Sequence, residues 1–299
     1  MKNLIGSYKN GNYKVFLFDD GTMIRHTEEN VYRSEFPDSI DIKITNKCDG
    51  SCMFCHEKST PEGSHGKILD IPFLNSLHPY TQLAIGGGNV MEHPDFIPFL
   101  IWCKEKNLIT SITLNQKHFM ENLDTVRYLV DNKLIYGLGV SLVYPTQEFI
   151  DAVKKFENSV IHVIAGIISS SIMEKLYNNH LKLLILGYKR FGNGKQYYEL
   201  HRSPIDLNIN WLKKELVNII KEFNTVSFDN LAISQLNIKD ILSEDMWDKF
   251  YMGDDGSHTM YVDTVNEQFA VSSTSTVRHK YLEETIEDMF KIVKEDCLK

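Results

Sequence analysis

The chain has 299 residues, 42% of them hydrophobic and 24% charged, with a formal net charge of −8 and five cysteines. This is the composition of an ordinary globular chain with enough apolar residues for a real core, and its acidity gives no general attraction to nucleic-acid phosphates. The opening MKNLIGSYKNGNY has no apolar signal region, and no later stretch approaches the ~18 uninterrupted apolar residues of a membrane span, so the expected location is the cytoplasm, with neither membrane nor nucleic acid as an expected partner.

Residues 13–27, YKVFLFDDGTMIRHT, carry two β-rich runs around Asp20-Gly21, a hairpin signal. From Ile40 the pattern changes. Short apolar runs at 40–45, 82–88, 111–116, 136–143, 160–168, 181–189 and 225–230 alternate with helix-like stretches at 95–107, 123–132, 146–158 and 208–224. Alternation over this length predicts an α/β fold with a parallel sheet, either a full or partial barrel or an open doubly wound sheet. In all of these, chemistry collects at the C-terminal ends of the strands. No repeat, low-complexity tract or Pro/Gly linker interrupts the body before about residue 240; residues 258–273 read as another hairpin and 282–295 as a closing helix. The expected division is an N-terminal hairpin extension (1–37), a barrel-like core (38–240) and a C-terminal extension (241–299). Both extensions are candidates to shape or cover a substrate entrance.

Residues 47–57, KCDGSCMFCHE, hold three of the five cysteines, on the loop just past the first strand of the alternating series. The spacing is C-x3-C-x2-C, and Gly50 and Ser51 are small, turn-competent residues that let a short loop aim Cys48, Cys52 and Cys55 at one centre. In a reducing compartment, such clustering argues for a metal or redox site over disulfides. A structural zinc site needs a fourth ligand, and His56 is adjacent to Cys55 and poorly placed to turn back to the same ion. Cys52-Met53-Phe54-Cys55-His56 also matches covalent haem attachment, a chemistry of exported proteins. Three unligated buried cysteines fit badly with a polar, glycine-containing segment. The remaining reading is an iron–sulfur cluster with three protein ligands and one open iron. Cys103 and Cys297 stand alone as bystanders.

This motif, with an aromatic residue immediately before its last cysteine, resembles the radical S-adenosylmethionine superfamily. The resemblance covers roughly residues 38–240 and implies a partial (β/α)6 TIM-like barrel there, to which the N-terminal β-hairpin and the small C-terminal extension are added. It implies that Cys48, Cys52 and Cys55 bind a 4Fe-4S cluster whose fourth iron takes the amino and carboxylate groups of S-adenosylmethionine. It further implies reductive cleavage of that cofactor to a 5′-deoxyadenosyl radical that takes a hydrogen atom from substrate, an electron donor such as flavodoxin or ferredoxin, and Phe54 against the adenine. The second strand ends in Gly86-Gly87-Gly88-Asn89, where the family has Gly-Gly-Glu. The glycines carry over as a motif, Asn89 or a glycine carbonyl would accept the methionine amino group, and Glu92 is the nearest carboxylate. Asn115 and Ser141 interrupt apolar runs at strand ends, where short polar side chains suit a ribose or a carboxylate, or cap a following helix. Residues 160–168 resemble the family's adenine-packing fifth strand, which points to Ile164 and Gly166. Lys189, Arg190 and Lys195 leave a strand in a glycine-containing loop suited to gripping a carboxylate or phosphate, with Lys189 the chosen cofactor contact; as single residues they read equally as a solvated loop. His93 and His118 follow strand ends but carry no assigned acid or base role.

No catalytic residue is assigned. Residues 260–275 resemble in outline the C-terminal hairpin of SPASM and twitch regions, but contain no cysteine, so a second thiolate-bound cluster cannot be built. The expected substrate is a peptide or protein side chain. The alternatives are a nucleotide or other small metabolite, activation of a glycyl-radical partner protein, or, outside enzymes, an iron–sulfur sensor or electron carrier.

Overall fold

The structure is a computed structural model that describes residues 2–298. Three strands, β1 (Leu4–Asn10), β2 (Tyr13–Phe18) and β3 (Met23–His26), form an antiparallel meander, one strand more than the hairpin read from residues 13–27. The body is a ten-stranded sheet. Its parallel run comprises β4 (Ser39–Thr45), β5 (Gln82–Gly87), β6 (Ile109–Asn115), β7 (Gly137–Ser141), β8 (Ser159–Ile164), β9 (Lys182–Leu186) and the short β10 (Thr225–Phe228), in chain order across the sheet. On the other side of β4 lies β11 (Thr259–Asp263), also parallel to it, followed by antiparallel β12 (Gln268–Ala270) and β13 (His279–Lys280). This is the expected partial barrel: β10 and β4 do not pair, so the cylinder stays open.

The register sorts the strand residues into two faces. Ile40, Ile42 and Ile44 of β4, Leu83 and Ile85 of β5, Ile112 and Leu114 of β6, Val140 of β7 and Ile161 of β8 are at most 1% exposed and pack under the helices. Burying each such side chain contributes roughly 1.5–3 kcal/mol. The other face is lined by small or polar residues. Asp41, Ala84, Ser111 and Gly137 stand level across four strands, and Asn115, Ser141 and His162 across three near the upper end. That face remains open to solvent, so the barrel has a polar lumen.

The covering helices include Phe96–Glu105, Leu123–Asp131, Gln147–Val153 and the long Asn193–Ile220. The last begins well before the amphipathic stretch at 208–224, continuing through a kink at His201 and across Pro204. No helix among the described residues is long and apolar enough to cross a membrane.

The N-terminal meander covers the end of the barrel away from the cysteines. Tyr13, Val15 and Leu17 pack with Tyr80 and Ile109, just before β5 and at the first residue of β6. Asn158, just before β8, donates its side-chain N–H to the Asp19 carbonyl at 2.8 Å. Asp38, at the foot of β4, is fully buried and accepts from Arg25 at 2.7 Å, Tyr8 at 2.9 Å, Tyr13 at 2.8 Å and Asn10 at 2.9 Å. This extension therefore forms a floor and not part of an entrance. Residues 251–258 span the side gap: Asn230, just past β10, donates to the Gly253 carbonyl at 3.2 Å, and Asp38 donates its N–H to the His258 carbonyl at 2.8 Å.

Candidate functional site

β4 delivers the chain to the upper edge of the sheet, and residues 46–71 cross the barrel mouth. Cys48 N–H donates to the Thr60 carbonyl at 2.8 Å and Thr60 N–H to the Asn46 carbonyl at 3.0 Å, folding the loop on itself. The glycine run fixes its root. Gly88 and Asn89 donate their N–H groups to the carbonyls of Thr45 and Lys47, each at 2.8 Å. A Cβ on Gly87, whose φ is +115°, would fall 2.3 Å from the Thr45 oxygen, and one on Gly88 would fall 2.2 Å from the Lys47 oxygen, so no side chain fits at either position. Gly86 faces open lumen, with nothing within 4 Å of a Cβ placed there. Asn89 is buried, caps the turn Val90–Glu92 by accepting from Met91 N–H at 3.2 Å, and donates to Glu92 at 3.1 Å.

The sulfurs of Cys48 and Cys52 flank Gly50: a Cβ there would sit 3.2 Å from the first and 4.0 Å from the second. Gly50 N–H donates to Cys48 Sγ at 3.3 Å, and Asn115 Nδ2 points at Cys52 Sγ from 3.8 Å. Burial, then the neighbouring sulfur of Cys55, pushes the Cys52 thiol up; burial also pushes Cys48 up, against the Gly50 N–H. Thiolates so placed repel one another unless a cationic centre lies between them. The three cysteine sulfurs do not all approach within 4.8 Å of one another, whereas ligands of one tetrahedral zinc lie about 3.8 Å apart. Within 4.8 Å of Cys48 are donor atoms of Asp49 and His118. Asp49 accepts from His118 at 2.6 Å and Lys117 at 2.5 Å, which holds its carboxyl down at about 2 and anchors the loop to the helix Gln116–Glu121. His93 is likewise structural: its Nε2 meets the Gly66 carbonyl at 2.8 Å and its Nδ1 accepts from Asp95 N–H.

Beneath the cysteines the lumen begins. Asn115 both caps the helix after β6, accepting from Lys117 N–H at 2.9 Å, and turns its amide nitrogen to Cys52. Ser141 lies beside it with a hydroxyl that has no protein partner among the described residues. Ile164 ends β8 on the lumen face, half-buried against Tyr188 and Tyr198. Gly166 is a packing glycine: a Cβ there would lie 2.7 Å from Ile205 on the long helix. Two lumen residues are not among those singled out from the sequence. His162 is pushed down to about 4 by burial. Asp41, walled by protein yet reached by solvent through the lumen, is pushed up to about 6 by burial and by Asp255 and Asp229, with Lys189 opposing. Neither side chain has a hydrogen-bond or ion-pair partner among the described residues.

The loop after β9 closes the site from the other side. Asn193 N–H donates to the Cys55 carbonyl at 3.0 Å, and a Cβ on Gly192, at φ +57°, would fall 2.2 Å from the His56 oxygen. Phe54 meets Tyr197 edge to face at 5.8 Å. Lys189 reaches His56 Nε2 at 3.3 Å and Ser273 at 2.9 Å, tying the cysteine loop to the C-terminal segment. Arg190 stacks on the Tyr198 ring at 3.7 Å, apart from Lys189.

Sequence reasoning also missed a buried polar network at the join of β4 and β11. Lys43 pairs with Glu57 at 3.0 Å and Asp263 at 3.2 Å, and Tyr261 donates to Glu57 at 3.0 Å. Burial alone would raise the Glu57 carboxyl, but His56 and Lys43 outweigh it and hold it at about 2. The signal was present in the charged residues within the strand IDIKIT, which only a ligand-lined or ion-paired inner face tolerates. Above this network opens a cleft of about 920 Å³ between the cysteine loop, the start of the long helix and the C-terminal hairpin.

No protein-family model matches the chain, and no curated protein does. Among solved structures, Streptococcus suis SuiB bound to its precursor peptide SuiA superposes with a TM-score of 0.58 at 16% identity, covering 86% of this chain and 65% of that one. SuiB bound to S-adenosylmethionine gives 0.55 at 16% identity, over 86% and 64%, and SuiB alone gives 0.55 at 17% identity, over 86% and 66%. The chain therefore spans about two thirds of the SuiB chain, and at this identity the likeness establishes a shared fold: a mixed α/β partial barrel.

Proposed function

We propose that this chain is a radical S-adenosylmethionine enzyme that modifies a peptide or protein side chain. The observation that carries the reading is one short loop that gathers Cys48, Cys52 and Cys55 at the mouth of a lumen lined by small and polar residues, with Asn115 Nδ2 turned to Cys52 Sγ at 3.8 Å. The solved structures of the same fold, one holding S-adenosylmethionine and one a precursor peptide, support it.

Cys48, Cys52 and Cys55 would hold a 4Fe-4S cluster; when bound, it supplies one electron to the sulfonium of S-adenosylmethionine, whose adenosyl fragment then takes a hydrogen atom from substrate. This chain's residues do the rest. Asn115 orients Cys52 and presents a polar edge to the lumen, Ser141 offers a free hydroxyl one strand away, and Gly86 leaves space for a ligand against the β5 backbone. Glu92, paired with Lys47 at 3.8 Å, is the carboxylate nearest the glycine run and would receive a cofactor amino group in place of the family's Glu. Ile164 would bound the adenine side. The expected electron donor is a flavodoxin or ferredoxin, the compartment the cytoplasm, and the functional core residues 38–240.

The test is anaerobic reconstitution with iron and sulfide, followed by dithionite and S-adenosylmethionine. Release of 5′-deoxyadenosine is expected; a protein that binds zinc, or reduces without cleaving the cofactor, removes the reading.

A further inference from the structure

The cleft above the Lys43 network runs against the charge of the whole molecule. The chain carries a formal net charge of −8, yet the cleft is lined by five Lys or Arg side chains and three carboxylates. Two of those carboxylates, Glu57 and Asp263, share Lys43 and leave one negative charge between them. That charge and Glu199 face the other four cations, so the cleft keeps an excess of two positive charges. Of these, the side chains of Lys58 and Lys195 have no hydrogen-bond, ion-pair or ring partner among the described residues. The two arginines are pre-positioned: Arg278 lies 4.9 Å over the Tyr261 ring and donates to the carbonyls of Ser273 at 2.6 Å and Ser275 at 3.0 Å, and Arg190 is stacked on Tyr198. Holding a guanidinium on an aromatic face lowers the entropy lost when it meets a carboxylate.

The lining also fits a chain more than a point charge. The cations come from three separate segments: the end of the cysteine loop, the loop and helix start after β9, and the strand-flanking turn at 276–278. Asn266 and Gln268 add amide donors and acceptors along the hairpin side, and Phe191 adds an apolar wall. A volume of about 920 Å³ is at the upper end of small-molecule pockets. The cleft begins one residue past Cys55, so whatever lies in it is held beside the barrel mouth.

We propose that this cleft binds an acidic segment of the peptide substrate, with Lys58, Lys195, Arg190 and Arg278 meeting its Asp and Glu side chains. The substrate's being a peptide rests on the function proposed above; the charge of the segment rests on the cleft alone. Seating the acidic stretch here tethers the residue to be modified near the lumen.

The experiment is fluorescence anisotropy under anaerobic conditions, with full-length protein and a fluorescein-labelled peptide alternating Glu and Gly, against its Gln counterpart of equal length. The Glu peptide binds and the Gln peptide does not, binding weakens as salt is raised, and Lys58→Gln/Lys195→Gln lowers affinity roughly five-fold. Lys58→Arg/Lys195→Arg restores it. Equal binding of both peptides, no binding of either, or a double Gln variant that binds like the parent overturns the proposal. So does inorganic tripolyphosphate displacing the Glu peptide at a lower concentration than free Glu peptide does, which marks a phosphate site. Cofactor cleavage without peptide is measured in parallel: its loss with binding intact removes the enzymatic reading and leaves the cleft, and the reverse removes only the cleft.

Discussion

The backbone N–H of Asn193 donates to the carbonyl of Cys55 at 3.0 Å, so the loop after β9 and the cysteine loop are one structural unit. The contact exists because Gly192 has no side chain: its φ of +57° and a Cβ only 2.2 Å from the His56 oxygen leave no room for one. Gly192→Ala should cost about 1–2 kcal/mol from the left-handed backbone alone, with the steric clash added. The expected outcome is a folded chain that takes up less iron and sulfide on reconstitution; full iron content in the variant would show that the two loops are independent.

Cys52→Ala removes one of the three sulfurs and the group that Asn115 faces. Iron per chain should fall to near background, and 5′-deoxyadenosine release by at least two orders of magnitude, about 3 kcal/mol of barrier. Asn115→Ala should be milder, losing about 1 kcal/mol of helix capping and leaving the cluster in place. A cluster of unchanged absorbance and iron content in Cys52→Ala would refute the ligand assignment.

Lys43→Met leaves Asp263 buried without its cation and Glu57 with only His56 and the Tyr261 hydroxyl. Breaking a buried pair from one side costs about 3–5 kcal/mol, so the thermal midpoint should drop by roughly 10 °C. Scanning calorimetry of the purified chain reads this directly, and an unchanged midpoint would mean that solvent, not Lys43, satisfies the two carboxylates.

Asp41 is pushed up to about 6, above its ordinary value of 3.8. A carboxyl that binds its proton more tightly when folded loses stability as pH rises from about 4 through about 6, and the loss is complete above that. Asp41→Asn lacks this penalty. Allowing for the solvent that reaches it, the variant should gain about 1 kcal/mol over the parent at pH 7.5 and about half of that at pH 5. Urea melts at the two pH values measure the difference; a gain of equal size at both would exclude ionisation of Asp41 as its cause.

Much of the fold could be read from alternation alone. The run SITLNQ became β6 with Asn115 at its end, and VIHVIAGII began β8, because buried isoleucines and leucines on the outer face mark a strand whatever lies opposite. The long helix was harder: Gly192, Gly194 and Pro204 look like breakers, but the glycines sit at its start against the cysteine loop and the proline sits just past a kink. The cysteine motif gave away its own loop because its spacing is local. Asp41, His162 and Tyr261 did not declare themselves. Each lies on a strand far in sequence from its neighbours, and only the register of β4 against β11, and of β7 against β8, shows which side it faces.

The N-terminal meander gives the barrel a base, and residues 251–258 give it a side wall. A vessel stopped at the bottom has one doorway, which here is also where the cysteines stand. On the function proposed above, cofactor and substrate would both enter and leave past the cysteine loop.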